Sequence, residues 1–93
     1  MIQSFKDKET AKIFNGLLSK RFANDIQKKA LVRLDWIDRA RNLEDLKTPP
    51  SNHLEALLGD LKGFYSIRVN QQFRLIFRFE AGQAFDVALT DYH

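Results

Sequence analysis

Apolar and polar positions alternate through the last forty residues of the chain, from Leu54 to His93. Tyr65, Ile67 and Val69 share one parity, as do Phe73, Leu75, Phe77 and Phe79, and then Phe85, Val87 and Leu89. At period two each set lies on one face of a strand, so the pattern predicts three strands with a common core face. Leu54 to Leu57 opens the sheet with a shorter strand, and Gly59, Asp60 and Gly63 mark the loop that follows. Connections of three residues preserve parity at both later turns, Asn70-Gln71-Gln72 and Glu80-Ala81-Gly82, with Gly82 free to take positive φ. The register that follows sets Val69 opposite Phe73, Ile67 opposite Leu75, Phe79 opposite Gln83, Phe77 opposite Phe85 and Phe73 opposite Leu89. On the reverse face it sets Arg68 opposite Arg74 and Asp86 opposite Ile76.

The first half is helical in pattern. Ile2 to Phe5 is a short extended segment, long enough for one strand beside the hairpins. Asp7 offers an N-cap oxygen to a helix whose face is Ala11, Phe14 and Leu18. Ser19 to Ala23 breaks the pattern, and Asn24 can cap a longer helix in which Ile26, Ala30, Leu34 and Ile37 recur. Leu31, Val32 and Trp36 widen its apolar side, as expected of a helix packed on a sheet and a second helix together. Asn42 restarts one last turn, and Pro49-Pro50 ends helicity because the residue before a proline disfavours the α region. The order is strand, two helices, four strands. It predicts an α+β fold, a five-stranded antiparallel or mixed sheet packed against two N-terminal helices, in a single domain spanning residues 1–93.

Composition narrows the class. Eight Phe and one Trp supply a core in a chain of 93 residues, a length at which roughly 60–70% of the unfolded surface is buried without staples. The absence of cysteine removes disulfides, thiolate nucleophiles and cysteine-based zinc sites. No apolar run resembles a signal peptide or a membrane span, so the expectation is a soluble cytoplasmic protein without a membrane partner. The net charge of +3 is uneven: residues 1–47 hold eleven Lys or Arg against seven Asp or Glu, and residues 48–93 hold four against five. The basic surplus therefore lies on the helices, where it reads either as a solvated face or as a surface for an acidic partner.

Candidate chemistry gathers on the strands. Like charges at Arg68 and Arg74 face each other unfavourably unless something negative lies between them. A phosphate satisfies that need; so does an ordinary ion network in which Asp86 serves Arg74 and Arg78 diagonally. The chain closes on Asp91-Tyr92-His93. Asp91 and His93 continue the core-face parity and Tyr92 points to the arginine side, giving a carboxylate, a proton carrier and a stacking phenol near guanidiniums. This set suits phosphodiester cleavage of a ribonucleotide; the competing reading is an inert, frayed terminus. There is no glycine-rich phosphate loop, no paired histidine motif for a metal and no nucleophile elbow, and the reading calls for no cofactor.

The run GDLKGFYSIRVNQQFR at residues 59–74, the terminal DYH and the preceding DLKTPPSNHLEAL segment resemble the HigB (host inhibition of growth) toxins of the RelE/ParE superfamily. The resemblance spans essentially the whole chain. It implies a ribosome-dependent mRNA interferase, with ribosome and mRNA as targets and a small HigA-like helix-turn-helix antitoxin that alone would contact DNA. Carried over by motif, the catalytic set is Arg74, Asp91, Tyr92 and His93, with His53, Lys62, Arg68 and Arg78 as RNA-binding residues. Two positions depart from the pattern. Some relatives have histidine where this chain has Glu55, leaving His53 two residues earlier, and some have lysine where this chain has Leu58, leaving Lys62 to restore the charge. The general base therefore stays open among His93, Glu55 and His53. A decayed toxin that only binds its antitoxin, and a gyrase poison of the ParE branch, are the alternatives. The antitoxin is expected on the helical half, between Lys8 and Arg41, with Lys28, Lys29 and Arg33 in the contact.

Overall fold

The computed structural model describes residues 1–91: helix α1 (Lys8–Phe14), helix α2 (Asn24–Arg39), then strands β1 (Glu55–Ala56), β2 (Phe64–Arg68), β3 (Phe73–Glu80) and β4 (Gln83–Asp91). The strands form one antiparallel sheet in the order β1-β2-β3-β4. α2 supplies Ala30, Leu34 and Ile37, and the sheet supplies Ile67, Leu75, Phe77, Ala84 and Val87, to a shared core of fully buried residues. Each large aliphatic or aromatic side chain removed from water there contributes about 1.5–3 kcal/mol. The expected fifth strand is reduced to two parallel bridges, Ile2 with Ala84 and Phe5 with Val87. The N–H groups of Gln3 and Lys6 donate to the carbonyls of Ala84 and Val87, whose own N–H groups donate to Met1 and Ser4, so this edge of β4 is covered.

α1 begins as expected, with Asp7 Oδ1 accepting the Thr10 N–H at 2.7 Å. It ends earlier than Leu18. Gly16, at φ 78°, lets the Leu17 N–H reach the Lys12 carbonyl and its own N–H reach that of Ile13, a Schellman stop that turns the chain away. The buried face is consequently Thr10 and Ile13, and Leu18 is 80% exposed. Thr10 Oγ1 accepts the Leu89 N–H at 2.9 Å, a buried polar tie from α1 to β4.

α2 buries the predicted Ile26, Ala30, Leu34 and Ile37, together with Gln27. Asn24 is its first helical residue rather than its cap, which falls on Ala23 without a side-chain bond. Leu31 and Val32 are exposed, because at about 100° per residue they lie well round the helix from the buried stripe. Asn42 does restart the chain, as the cap of a 3₁₀ turn at Leu43–Lys47 with a reciprocal capping box to Asp45.

The β2–β3 register is the expected one, with Ile67 opposite Leu75 and Arg68 opposite Arg74. Asn70 Oδ1 accepts the N–H groups of Gln72 and Phe73, which locks that connection. The β3–β4 register differs. The turn has two residues, Ala81 and Gly82, both at positive φ as in a type I′ hairpin, so Glu80 pairs with Gln83 and Phe79 with Ala84. A bulge at Asp86 (φ 53°) then inserts one residue, after which Leu75 pairs with Leu89, Ile76 with Ala88 and Phe73 with Asp91. Ala84 thus takes the core position expected of Phe85, which lies opposite Arg78 on the reverse face. No helix among the described residues is long and apolar enough to cross a membrane.

Candidate active site

The face of the sheet turned away from the helices carries three rows set by the register: Arg68, Arg74 and Thr90; Glu55, Ser66, Ile76 and Ala88; and Phe64, Arg78 and Phe85. The two arginines predicted to face each other do so, and their guanidiniums take different partners. Arg74, 9% exposed, donates from Nε to Ser66 Oγ at 2.8 Å and from Nη2 to the His53 carbonyl at 2.6 Å. Its Nη2 lies 3.9 Å from the Glu55 carboxylate. Charge-assisted bonds of this kind fix a guanidinium in one orientation and offset the cost of burying it.

Arg68 donates instead to the Asn70 carbonyl at 3.2 Å, and its own carbonyl accepts from Arg33 Nε on α2 at 2.9 Å. Arg33 also donates to the Lys29 carbonyl and lies 5.4 Å over the Trp36 ring, and burial lowers its pKa below the ordinary arginine value. It is therefore an inward tie from α2 to the arginine face rather than part of a free basic surface with Lys28 and Lys29.

The other predicted residues are distributed around this pair. His53 takes the left-handed conformation at φ 45° after the short turn Pro50–Asn52, so its carbonyl reaches Arg74 while its side chain is exposed. Lys62 is exposed in the connection from β1 to β2. Arg78 shares the face with Arg74 but has its own partners: Asp86 at 3.1 Å, Glu80 at 3.6 Å and the Phe85 ring at 5.2 Å. Asp86 does not sit opposite Ile76, because the bulge moves it next to Arg78. Asp91 ends β4 opposite Phe73, on the parity that faces the helices, and its carboxylate accepts from Gln72 at 3.0 Å. Tyr92 and His93 lie outside the described residues.

Ser66 and Glu55 also belong to the setting of Arg74; Ser66 was not predicted as a site residue, and Glu55 only as one candidate for the general base. Ser66 has the parity of Arg68 and Arg74 in the S-I-R-V-N run, and Glu55 faces Ser66 across β1 and β2. Parity was the signal that finds Ser66; nothing local to the sequence announces that a serine will anchor an arginine eight residues on. The carbonyl of His53 carries no sequence signal at all, since it depends on a left-handed backbone.

Residues 3–93 match the family model described as the RelE-like toxin of the type II toxin-antitoxin system HigB. The chain is 40% identical to Toxin HigB-1 of Vibrio cholerae, over 99% of this chain and 98% of that protein. It is 35% identical to Endoribonuclease HigB of Proteus vulgaris, over the full length of both. In structure it is similar to the toxin-antitoxin complex YoeB-YefM from Staphylococcus aureus, with a TM-score of 0.64, 20% identity and coverage of 100% of this chain and 98% of that one, a likeness of fold.

Proposed function

As the chain belongs to the RelE-like HigB toxins of type II toxin-antitoxin systems, we propose that it is an endoribonuclease that cleaves mRNA in the ribosomal decoding site and so arrests translation in the cytoplasm. The observation that carries this reading is Arg74, buried and oriented by Ser66 and the His53 carbonyl on a sheet face that also bears Arg68. A fixed guanidinium is suited to a phosphate whose negative charge grows during reaction, since a preorganised donor spends nothing on reorientation at that moment. In the proposed step the ribose 2′-oxygen gives up its proton and bonds to the adjacent phosphorus. The bond to the 5′-oxygen breaks, and that oxygen takes a proton, leaving a 2′,3′-cyclic phosphate and a 5′-hydroxyl.

Arg74 stabilises the phosphorane, Tyr92 stacks on a base, Asp91 orients His93 and His93 carries the proton, as the family tail implies. Glu55, beside Arg74 on the same face, is the second candidate for the proton acceptor, ahead of His53. Arg68, Arg78, Lys62 and His53 contribute to RNA binding. The ribosome is required because so small a set of groups cannot itself order a flexible strand. A HigA-like antitoxin is the partner that silences the site. It docks on the helical half and blocks entry to the ribosome.

Deleting His93 removes a proton carrier worth about 10²- to 10⁴-fold in rate, and Glu55→Gln isolates the second candidate. Cleavage on translating ribosomes and thermal melting are measured for each. A chain lacking His93 that melts and cleaves like the parent transfers the role to Glu55 if Glu55→Gln is inactive. If both variants match the parent, the proton scheme is wrong. Growth arrest on induction separates the enzyme from an antitoxin-binding module.

A further inference from the structure

We propose that Phe85 and Phe64, on either side of Arg78, form a stacking subsite for one base of the RNA, at the far end of the face that carries Arg74. The proposal rests on the RNA-cleaving reading above and adds a binding contact that the catalytic set does not contain. It begins from the bulge at Asp86, where β4 changes frame. Ala84 points to the core before the bulge, and Val87 and Leu89 point there after it. An uninterrupted strand that turned Ala84 inward would carry Val87 and Leu89 out to the reverse face. The irregularity holds a non-glycine residue at φ 53°, and it lets one strand both fill the core and set a large ring outward beside Arg78. Bulges concentrate where a side chain has to be re-aimed.

The chemistry at this end favours a base over a phosphate. Asp86 and Glu80 both pair with Arg78 and offset its charge, so the row is much less attractive to an anion than the Arg68 and Arg74 row. What it offers is aromatic surface: Phe85 half-buried with the guanidinium 5.2 Å from its centre, and Phe64 half-buried on the opposite side of Arg78 by register. Ile76 and Ala88, each 7% exposed, form the apolar floor between the two rows. Arg78 is four residues along β3 from Arg74, or about 13 Å at the rise of a strand. A strand of RNA with its scissile phosphate at Arg74 therefore brings the base of a nearby nucleotide, rather than the reacting one, onto the ring pair. Stacking of this kind accepts any base and contributes about 1–3 kcal/mol per base.

The test is cleavage of a message on stalled ribosomes by the full chain, with single abasic nucleotides placed in turn at each position around the cut. On the intact message Phe85→Ala is expected to lower kcat/KM about 5- to 150-fold, the equivalent of that stacking free energy. Phe85→Trp is expected to retain the parental value, and Phe85→Leu, which keeps apolar bulk without the ring, to fall with alanine. At one abasic position the difference between the parent and Phe85→Ala should vanish. Restoration by leucine, or a loss that persists at every abasic position, would overturn the subsite and assign Phe85 to packing alone. Arg74→Ala is assayed beside it. Loss in that variant with full activity in Phe85→Ala refutes the subsite and leaves the RNA reading intact, whereas a parental chain that cleaves no message removes both.

Discussion

Arg74 shows how far single residues were legible. Its opposition to Arg68 follows from period two and a three-residue connection, and both hold. Its partners do not follow from pattern, because the His53 carbonyl depends on a left-handed backbone and Ser66 on side-chain reach. Ser66→Ala removes one hydrogen-bond acceptor of the buried Arg74 guanidinium, so a loss of about 1–3 kcal/mol in denaturant unfolding is expected, with slower cleavage. Arg74→Lys should not restore activity, since a lysine has one point charge and cannot reproduce the bonds made by Nε and Nη2 together. Glu9 gives a pH dependence. The Ser19 hydroxyl, donating at 2.6 Å, and then Lys12 hold its carboxylate below the ordinary value of 4.5. A depressed folded pKa contributes stability above the unfolded value, and that contribution is lost as pH falls through the folded one. The stability gap between the parent and Ser19→Ala should therefore be present at neutral pH and narrow on acidification below 4.5; a gap that is independent of pH would remove Glu9 from the account.

Among the elements, those fixed by several agreeing signals were readable: the Asp7 cap, the buried stripe of α2, the Asn42 restart and the β2–β3 hairpin. The misses share one cause, an insertion or stop that parity cannot register. Alternation alone cannot tell a three-residue turn in a regular strand from a two-residue turn followed by a bulge, because both return Val87 and Leu89 to the core. The difference falls on the residues between turn and bulge, where Ala84 turns to the core and Phe85 to the reverse face. In the same way Gly16 ends α1 a turn before the apolar spacing runs out. The observed turn makes its own prediction. Ala81 sits at φ 49° where asparagine is favoured, so Ala81→Asn should raise stability by about 0.5–1 kcal/mol. Gly82→Ala should lower it by more than ~1 kcal/mol, since its added Cβ would meet the Arg41 carbonyl oxygen at 3.1 Å in addition to the strain at φ 78°. Thermal melting of the two variants checks both signs.

At the scale of the molecule the sheet separates two surfaces, and the proposed function uses each differently. The reverse face holds the arginines, and the helical layer carries most of the basic surplus together with the exposed Leu17, Leu18, Leu31 and Val32. This layer is the surface proposed above for the antitoxin. Lys28→Glu with Lys29→Glu should weaken antitoxin binding while leaving cleavage unchanged; unchanged affinity in a titration would place the contact elsewhere. Arg33 is unsuitable for that test because it ties α2 to Arg68. The division into helical layer and sheet was legible from the two periodicities, and the partner only from family resemblance, since charge by itself does not name a ligand. In the proposed function the arginine face cleaves RNA that the ribosome has ordered. The most direct test measures cut message, with and without translating ribosomes, for the parent and for Arg74→Ala at matched thermal stability. Cleavage by the parent is expected only on ribosomes, with a fall of about 10²- to 10³-fold on loss of the Arg74 guanidinium. Equal cleavage of free and translated message, or a normally folded Arg74→Ala chain that cuts at the parental rate, would contradict the proposed function.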